Sequence, residues 1–88
     1  MLYIKWTEQD IAELSAFDEI AILYTEIDNE GDVHKEIGLN NDGKLIHKSP
    51  SAGYPYGEYG IFDNQKVAIS DRRSNFSKEE FYKLWESN

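Results

Sequence analysis

Apolar and polar residues alternate with a period of two along the stretch from Ile20 to Lys48, and two turn signals interrupt the alternation. The turns are Asn29-Glu30-Gly31 and Asn40-Asn41-Asp42-Gly43, which supply residues that tolerate a positive φ. Such residues between alternating runs are typical of tight hairpins. The pattern therefore predicts three antiparallel strands joined as a β-meander.

The register of these strands decides which side chains are buried, because a slip of one residue exchanges the two faces of a sheet. If Asp28 faces Asp32 across the first turn, one face carries the pairs Ile27 with Val33, Thr25 with Lys35, Leu23 with Ile37, Ala21 with Leu39, and Ile37 with Ile46. We predict that this face is the core. The opposite, outer face would be acidic and aromatic, and it would hold Tyr24, Glu26, Asp28, Asp32, His34, Glu36 and His47.

The two ends of the chain predict one further strand and one helix. Alternation from Leu2 to Trp6 predicts a strand that joins the sheet beside the Ile20 strand. Near the C-terminus, Ser77 and Glu80 have the spacing of a capping box, in which each side chain bonds the other residue's amide. Phe76 and Phe81 flank this box as a hydrophobic staple.

The C-terminal helix presents Phe81, Leu84 and Trp85 on one stripe, so we expect it to cover the apolar face of the sheet. Full burial of Trp85 would make its truncation to alanine cost about 3 to 5 kcal/mol.

The connecting segments carry weaker signals. Residues 7–15 predict a short helix or 3₁₀ turn capped by Thr7. Residues 49–60 contain both prolines and three glycines, which predicts a loop. Lys66 to Ile69 could form a short edge strand, and Arg72 with Arg73 is too small a basic patch to bind phosphates.

Length and composition place the chain among small single domains. Its 88 residues can bury one modest core, so we predict one domain over residues 1–88. The fold class is α+β, with an antiparallel meander sheet of four to five strands and a C-terminal helix on one face. The chain has no cysteine, no apolar run long enough for a membrane helix and no signal peptide at MLYIKWTEQD, which predicts a cytoplasmic protein.

The net charge of −8 argues against direct binding to nucleic-acid phosphates, which requires clustered lysine and arginine. An acidic chain instead suits a basic protein partner, because long-range attraction accelerates association. The alternative is that acidity only keeps a small protein soluble.

No phosphate-binding loop, metalloprotease helix or nucleophile elbow occurs in the chain, so we expect no enzyme and no cofactor. The predicted register brings His34, Glu36 and His47 together on the outer face, where they could bind a metal or transfer protons. The same residues would look identical as a solvated cross-strand cluster. A small metal-dependent or acid–base enzyme using His34 and His47 is therefore the alternative from another class.

The succession LYIKW, IAILYTEID, DVHKEIGLNNDGKL, GEYGI and FSKEEFYKLW resembles a family of small bacterial domains of unknown function. Its members look like "Y-I-K-V-x-W", "V-L-Y-S-E-x-D", "R-K-V-E-x-F-x-D-G-R", "L-G-E-x-P" and "I-S-x-E-E-F-x-x-x-W". Such domains are often encoded among polymorphic-toxin and contact-dependent growth inhibition loci. The resemblance implies an immunity protein, although residues 7–17 and 60–76 depart from the family pattern.

We therefore predict a non-enzymatic immunity protein that neutralises a cognate, basic toxin domain. A nuclease is one candidate for that toxin. The alternative in the binding class is a phage-borne inhibitor or nucleic-acid mimic of a host defence nuclease. The predicted partner-binding residues are the outer-face residues Tyr24, Glu26, Asp28, Asp32, His34 and Glu36, with Tyr54, Tyr56 and Glu58 of the loop as anchors. We expect no metal site, no membrane contact and no direct contact with nucleic acid.

Overall fold

The computed structural model describes residues 1–7, 19–51, 53–54, 60–62, 66–67 and 74–86. Within these ranges the chain forms strands β1 (Leu2–Trp6), β2 (Ile22–Ile27), β3 (Val33–Leu39) and β4 (Leu45–Ser49) and helix α1 (Lys78–Glu86). The strands form one antiparallel sheet in the order β1-β2-β3-β4. The predicted α+β class, with a meander sheet and a C-terminal helix on one face, is confirmed.

The two hairpin turns have the same geometry, twelve residues apart. Asp28 opens the first turn, and its Oδ1 accepts hydrogen bonds from the amides of Glu30 (2.9 Å) and Asp32 (3.0 Å). The amide of Asp28 donates to the carbonyl of Asp32 (3.0 Å), so the predicted facing of these two residues is confirmed. Gly31 occupies the position that requires a positive φ, here +90°.

The second turn repeats these bonds with an amide in place of the carboxylate. The Oδ1 atom of Asn40 accepts from the amides of Asp42 and Lys44, at 2.9 Å each. Gly43 has a φ of +80°, matching Gly31 in the first turn. Both turns therefore rest on an Asx residue followed three positions later by glycine.

Each turn is followed by a β-bulge that the sequence analysis did not foresee. Ile27 pairs with Val33 as predicted, but Glu26 then pairs with Lys35, which leaves His34 as the extra residue of β3. In the second hairpin Leu39 pairs with Leu45 and Gly38 with His47, which leaves Ile46 as the extra residue of β4.

The bulges make the rest of the predicted register wrong. The observed pairs are Thr25 with Glu36, Tyr24 with Ile37, Leu23 with Gly38, Ile22 with Leu39, and Ile37 with Lys48. Leu23 and Ile37, which were predicted to pair on one buried face, therefore lie on opposite faces. Because one extra residue reverses the facing of all later side chains, both faces of the sheet acquire an apolar core.

The helix-side core consists of the buried Tyr3, Tyr24, Ile37 and Phe81. Phe81 is fully buried, whereas Trp85 is only partly buried, so the prediction of a stripe against the sheet is confirmed but full burial of Trp85 is not. The prediction that α1 covers the face of Leu23 and Ile27 is wrong, because α1 covers the face of Tyr24, which was predicted to be the outer face. Phe76 contacts Tyr24 with ring centroids 4.4 Å apart, which places the N-terminal staple on this same core.

The N-terminus of α1 is capped by Ser77, whose Oγ accepts the amide of Glu80 at 3.0 Å, as predicted. In a complete capping box the Glu80 carboxylate would accept the backbone amide of Ser77. Here that carboxylate accepts the Ser77 hydroxyl instead, at 3.2 Å. At the other end, Lys48 donates to the carbonyl of Trp85 and lies over its ring, 4.5 Å from the centroid.

The loop-side core lies on the opposite face of the sheet. Its buried members are Ile4, Trp6, Ile20, Leu23, Ile27 and Phe62. β1 pairs with β2, as predicted, and thereby contributes Ile4 and Trp6 to this core. Phe62 lies against Trp6 with ring centroids 5.6 Å apart, so the segment 60–62 forms part of the second layer.

Several predicted features lie outside the described residues. These are the short helix over residues 7–15 beyond Thr7, the part of the predicted edge strand after Val67, and the pair Arg72 and Arg73. Residues 66–67 are described and are not in a strand. Among the described helices, none combines the length and the apolar character that crossing a membrane would require.

Candidate functional site

The predicted binding face is not one exposed surface. Tyr24, Glu26 and Glu36 are buried, with exposed fractions of 7%, 4% and 3%. Glu26 lies beneath α1 and Glu36 lies on the opposite face, so the two carboxylates contribute to different cores. The prediction that these three residues share an exposed face with Asp28, Asp32 and His34 is therefore wrong.

Glu26 is the acceptor at the centre of a polar cluster beneath α1. Its Oε2 accepts hydrogen bonds from the hydroxyls of Tyr3 (2.7 Å) and Tyr82, and its Oε1 lies 3.6 Å from the Nζ of Lys35. Lys35 in turn donates to the hydroxyl of Tyr82 at 3.0 Å. The cluster joins β1, β2 and β3 to the helix.

The charges in this cluster perturb one another. Burial alone would raise the pKa of Glu26, but the two tyrosine hydroxyls and the neighbouring ammonium outweigh burial and hold the pKa below its usual value. Burial and the carboxylate of Glu26 raise the pKa of Tyr3. The hydrogen bond to Tyr82, against the opposing effect of burial, raises the pKa of Lys35. Glu26 is thus an anion held by donors, which suits a structural role.

Glu36 and His47 form the second buried pair, on the loop side of the sheet. The Nε2 atom of His47 lies 2.8 Å from Oε1 of Glu36, and both side chains are almost fully buried. The same carboxylate accepts the amides of Ile61 (2.7 Å) and Phe62 (3.0 Å) through its two oxygens. One carboxylate therefore fixes the chain segment that follows Gly60 to the sheet.

Asp28 and His34 lie together at the first turn. The Nε2 atom of His34 is 2.8 Å from Oδ2 of Asp28, and about half of the imidazole surface is exposed. The bond from His34, together with the amides of Asp32 and Glu30, lowers the pKa of Asp28 to about 2.

Asp32, on the other side of this turn, has a partner of its own. Lys66 donates to both of its carboxylate oxygens at 3.1 Å, which raises the pKa of Lys66. Asp28, Glu30 and Asp32 place one carboxylate oxygen each within 4.8 Å of one another. His34, Lys66 and backbone amides already bond to Asp28 and Asp32. The closeness of the three carboxylates therefore follows from the turn and does not indicate a metal site.

The remaining predicted residues are divided among several places. Glu36 and His47 are neighbours, as predicted, but they are buried on the loop side instead of lying on an exposed face. His34 contacts Asp28 instead, so its predicted place in this group is wrong. Tyr54 is partly buried, and Tyr56 and Glu58 lie outside the described residues. A partner-binding role for Asp28, Asp32, His34 and the loop residues stays a prediction.

An open hollow beside the second turn was not foreseen from the sequence. It has a volume of about 230 Å³ and is lined by Glu19, Asn40, Asn41, Asp42 and Ile46. Glu19 and Asp42 are exposed, and within the described ranges no cation contacts either carboxylate. The twelve-residue recurrence of Asx-x-x-Gly could have indicated the turn, but the approach of Glu19 depends on the fold of the preceding segment.

The described surface offers carboxylates without a surrounding catalytic constellation. Neither buried acid opens on this hollow, which is lined instead by two exposed carboxylates, two amides and one aliphatic side chain. Such a lining suits electrostatic contact with a cationic group. Comparisons with protein-family models, with curated proteins and with solved structures found no match to the chain.

Proposed function

We propose that the chain is a non-enzymatic immunity protein, which binds a cognate toxin domain with a basic surface and occludes its active site or substrate groove. The observation that carries this proposal is the excess of carboxylates over lysines among the exposed residues that the structure describes. Lys35, Lys48 and Lys66 each contact a partner within the chain. The exposed carboxylates among the described residues are Glu19, Glu30, Asp42, Glu79, Glu80 and Glu86.

This excess supports an electrostatic role. The exposed lysines among the same residues are Lys44, Lys66, Lys78 and Lys83, fewer than the six exposed carboxylates, and Lys66 is paired with Asp32. The described surface is therefore acidic, in agreement with the net charge of −8. Such a surface attracts a basic partner over a distance of about one Debye length, roughly 10 Å at 0.1 M salt. A nuclease is one suitable toxin, because carboxylates could replace the phosphates of its substrate. Protection of the producing cell from such a toxin would place the protein in the cytoplasm.

The positions of the histidines support binding rather than catalysis. His47 is buried beside Glu36, and the carboxylate of Glu36 also accepts hydrogen bonds from the amides of Ile61 and Phe62. His34 is exposed in the bulge of β3, with Asp28 as its partner. General acid–base catalysis needs a titrating group within hydrogen-bonding reach of a bound substrate. A protein that works by binding needs no such arrangement.

The test is titration of the toxin domain that the proposal expects to be encoded immediately upstream of this gene. We expect co-expression to restore growth, and purified protein to reduce toxin activity linearly, with complete inhibition at about one equivalent. An enzyme that inactivates the toxin would instead act at far below one equivalent. Association should slow by at least about tenfold between low and high salt, because steering by surface charge is screened.

His34→Ala is the matched control for the enzymatic alternative, because the side chain is exposed and its loss should leave the fold intact. If the variant still forms the complex but no longer protects, catalysis by His34 is indicated and the proposal fails. Failure to bind the upstream toxin, together with tight binding to a host defence nuclease, would contradict the immunity role.

A further inference from the structure

The two edges of the sheet differ in how their main chain is satisfied. At the outer edge of β1, Asn75 accepts the amide of Lys5 through Oδ1 (2.6 Å) and donates to the carbonyl of Lys5 through Nδ2 (3.2 Å). Ser74 accepts the amide of Tyr3 (3.0 Å), and the amide of Asn75 donates to the carbonyl of Tyr3 (3.1 Å). Asn75 thus imitates a neighbouring strand, and the β1 edge is closed.

The alternation of backbone groups identifies what β4 presents at the other edge. The backbone amides and carbonyls of Tyr3 and Lys5 point outward from β1, so those of Leu2, Ile4 and Trp6 point toward β2. The same alternation of inward and outward backbone groups applies to each following strand. Gly38 and Glu36 consequently face β4, where their partners are His47 and Ser49. The backbone amide and carbonyl of Lys48, between these two, therefore point away from the sheet.

Among the described residues, none forms a hydrogen bond with this outward amide or carbonyl of Lys48. Its side chain lies on the helix side of the sheet, over the ring of Trp85, and does not return to the edge. The open edge ends at Ile46, which is also a wall of the acidic hollow formed with Glu19 and Asp42. An exposed strand edge and an adjoining pocket are the two components of strand-addition binding, in which the main chain gives affinity and a pocket selects a side chain.

We propose that the β4 edge binds an extended, basic segment of the partner as a fifth strand, with a lysine or arginine side chain in the hollow between Glu19 and Asp42. The proposal rests on the proposed function for its basic partner. The charge of the hollow selects the occupant, because its two carboxylates have no cation among the described residues, whereas Asp28 and Asp32 have His34 and Lys66. The closed β1 edge leaves β4 as the available site of addition.

The probe is a synthetic peptide of alternating threonine and lysine with blocked ends, titrated into the isotope-labelled protein. We expect amide shifts at residues 46–48 and at Glu19 and Asp42, with hydrogen exchange at the Lys48 amide slowed at least about fivefold. A peptide with glutamate in place of lysine should bind at least about tenfold more weakly.

Two pairs of variants separate the main-chain contact from the charge contact. Lys48→Pro and Lys48→Ala both lose the lysine side chain, but proline alone removes the outward amide, so it should weaken binding at least about fivefold more. Asp42→Asn should weaken binding at least about threefold relative to Glu79→Gln, which makes the same charge change on an exposed helix face.

Absence of peptide binding, shifts distributed over all exposed acids, or equal effects within either pair of variants would overturn the proposal. These results would leave the immunity function intact, since that function fails separately, when the protein does not inhibit the upstream toxin. Should Lys48→Pro not fold, hydrogen exchange at the Lys48 amide of the wild type decides the main-chain contact, and Asp42→Asn against Glu79→Gln decides the charge contact.

Discussion

At the residue scale, Glu26 shows why an acidic residue in an alternating strand is not evidence of a charged surface. Its position in ILYTEI is compatible with either face, and the bulge at His34 determines that Lys35 becomes its neighbour. The donors that stabilise the buried anion come from β1, β3 and α1, which are distant in sequence. No local pattern could have identified this cluster.

Glu26 should make stability depend on pH. Its pKa is lower in the folded protein than in the unfolded chain, so the unfolded chain binds more protons in acid. The stabilisation is complete above the ordinary glutamate pKa of about 4.5 and is lost as pH falls through the lower, folded value. We expect Glu26→Gln to reduce the free energy of unfolding at pH 7 by about 2 kcal/mol. The free energy of the variant should also fall less steeply with decreasing pH, as measured by urea titrations from pH 7 to pH 3.

Glu79→Gln is the control, since Glu79 is exposed in the first turn of α1. Its stability curve should follow that of the wild type within about 0.5 kcal/mol. Parallel pH profiles for Glu26→Gln and the wild type would show that Glu26 does not contribute this dependence.

The two turn glycines allow backbone strain to be separated from crowding. Gly31 and Gly43 have nearly the same positive φ, +90° and +80°. A Cβ at Gly31 would lie 2.3 Å from the carbonyl oxygen of Val67, whereas a Cβ at Gly43 would have no atom within 4 Å. Alanine at Gly43 should therefore cost only the strain of a left-handed residue, about 1 to 2 kcal/mol.

Gly31→Ala should cost at least about 1 kcal/mol more than Gly43→Ala, because the segment 66–67 must move and the bond from the Val67 amide to the Gly31 carbonyl weakens. The difference is measured by urea denaturation of the two variants under the same conditions. Equal costs would mean that the contact with Val67 is not maintained in solution.

At the element scale, the sequence predicts what local chemistry determines and fails where the pairing is non-local. Both turns and the Ser77 cap are formed by residues close in sequence, and the alternation that indicates β1 is also a local pattern; all were predicted. The register beyond the first pair was wrong, because a bulge leaves no distinct residue type in the sequence: His34 and Ile46 have little in common. The recurrence of the bulge six residues after each Asx indicates that the turn geometry produces it.

The docking of α1 should depend on Phe81 more than on Trp85. Phe81 is fully buried between Tyr3, Tyr82 and the sheet, with its ring 5.4 Å from that of Tyr3. Phe81→Ala should reduce the free energy of unfolding by about 3 to 5 kcal/mol. Trp85 is partly exposed and supported by Lys48, so Trp85→Ala should cost about 2 kcal/mol.

The measurement is urea denaturation monitored by circular dichroism, with the slope of each transition compared with that of the wild type. A greater loss for Trp85→Ala than for Phe81→Ala would indicate that the helix docks through its C-terminal turn instead. An unchanged slope confirms that each variant alters stability rather than the extent of unfolding.

At the scale of the whole molecule, the protein is a sheet with a core on each face, and two buried carboxylates each attach one covering layer. Glu26 binds α1 through Tyr82, and Glu36 binds the segment 60–62 through backbone amides. The sequence predicted one core, because a half-buried meander is the usual interpretation of strict alternation. Two of the acids assigned to a binding face, Glu26 and Glu36, instead hold the layers together. The acidic surface that the structure describes is consequently at the turns and on α1.

Glu36 should determine whether the second layer stays closed. Its buried carboxylate accepts hydrogen bonds from two amides and from the imidazole of His47, so Glu36→Gln places an NH₂ group against at least one donor. We expect a loss of about 2 to 3 kcal/mol in the free energy of unfolding. Hydrogen exchange at the amides of Ile61 and Phe62 should accelerate at least about tenfold, while exchange within α1 changes only as far as global stability requires.

Glu30→Gln makes the same substitution at an exposed turn carboxylate and should leave exchange at Ile61 and Phe62 unchanged. If Glu36→Gln lowers stability but accelerates exchange equally throughout the sheet and α1, the two layers open together and Glu36 does not act locally. Selective acceleration at Ile61 and Phe62 would instead show that the loop-side layer can open while the helix side remains folded. Each face would then be a separate cooperative unit, attached to the shared sheet through its own buried carboxylate.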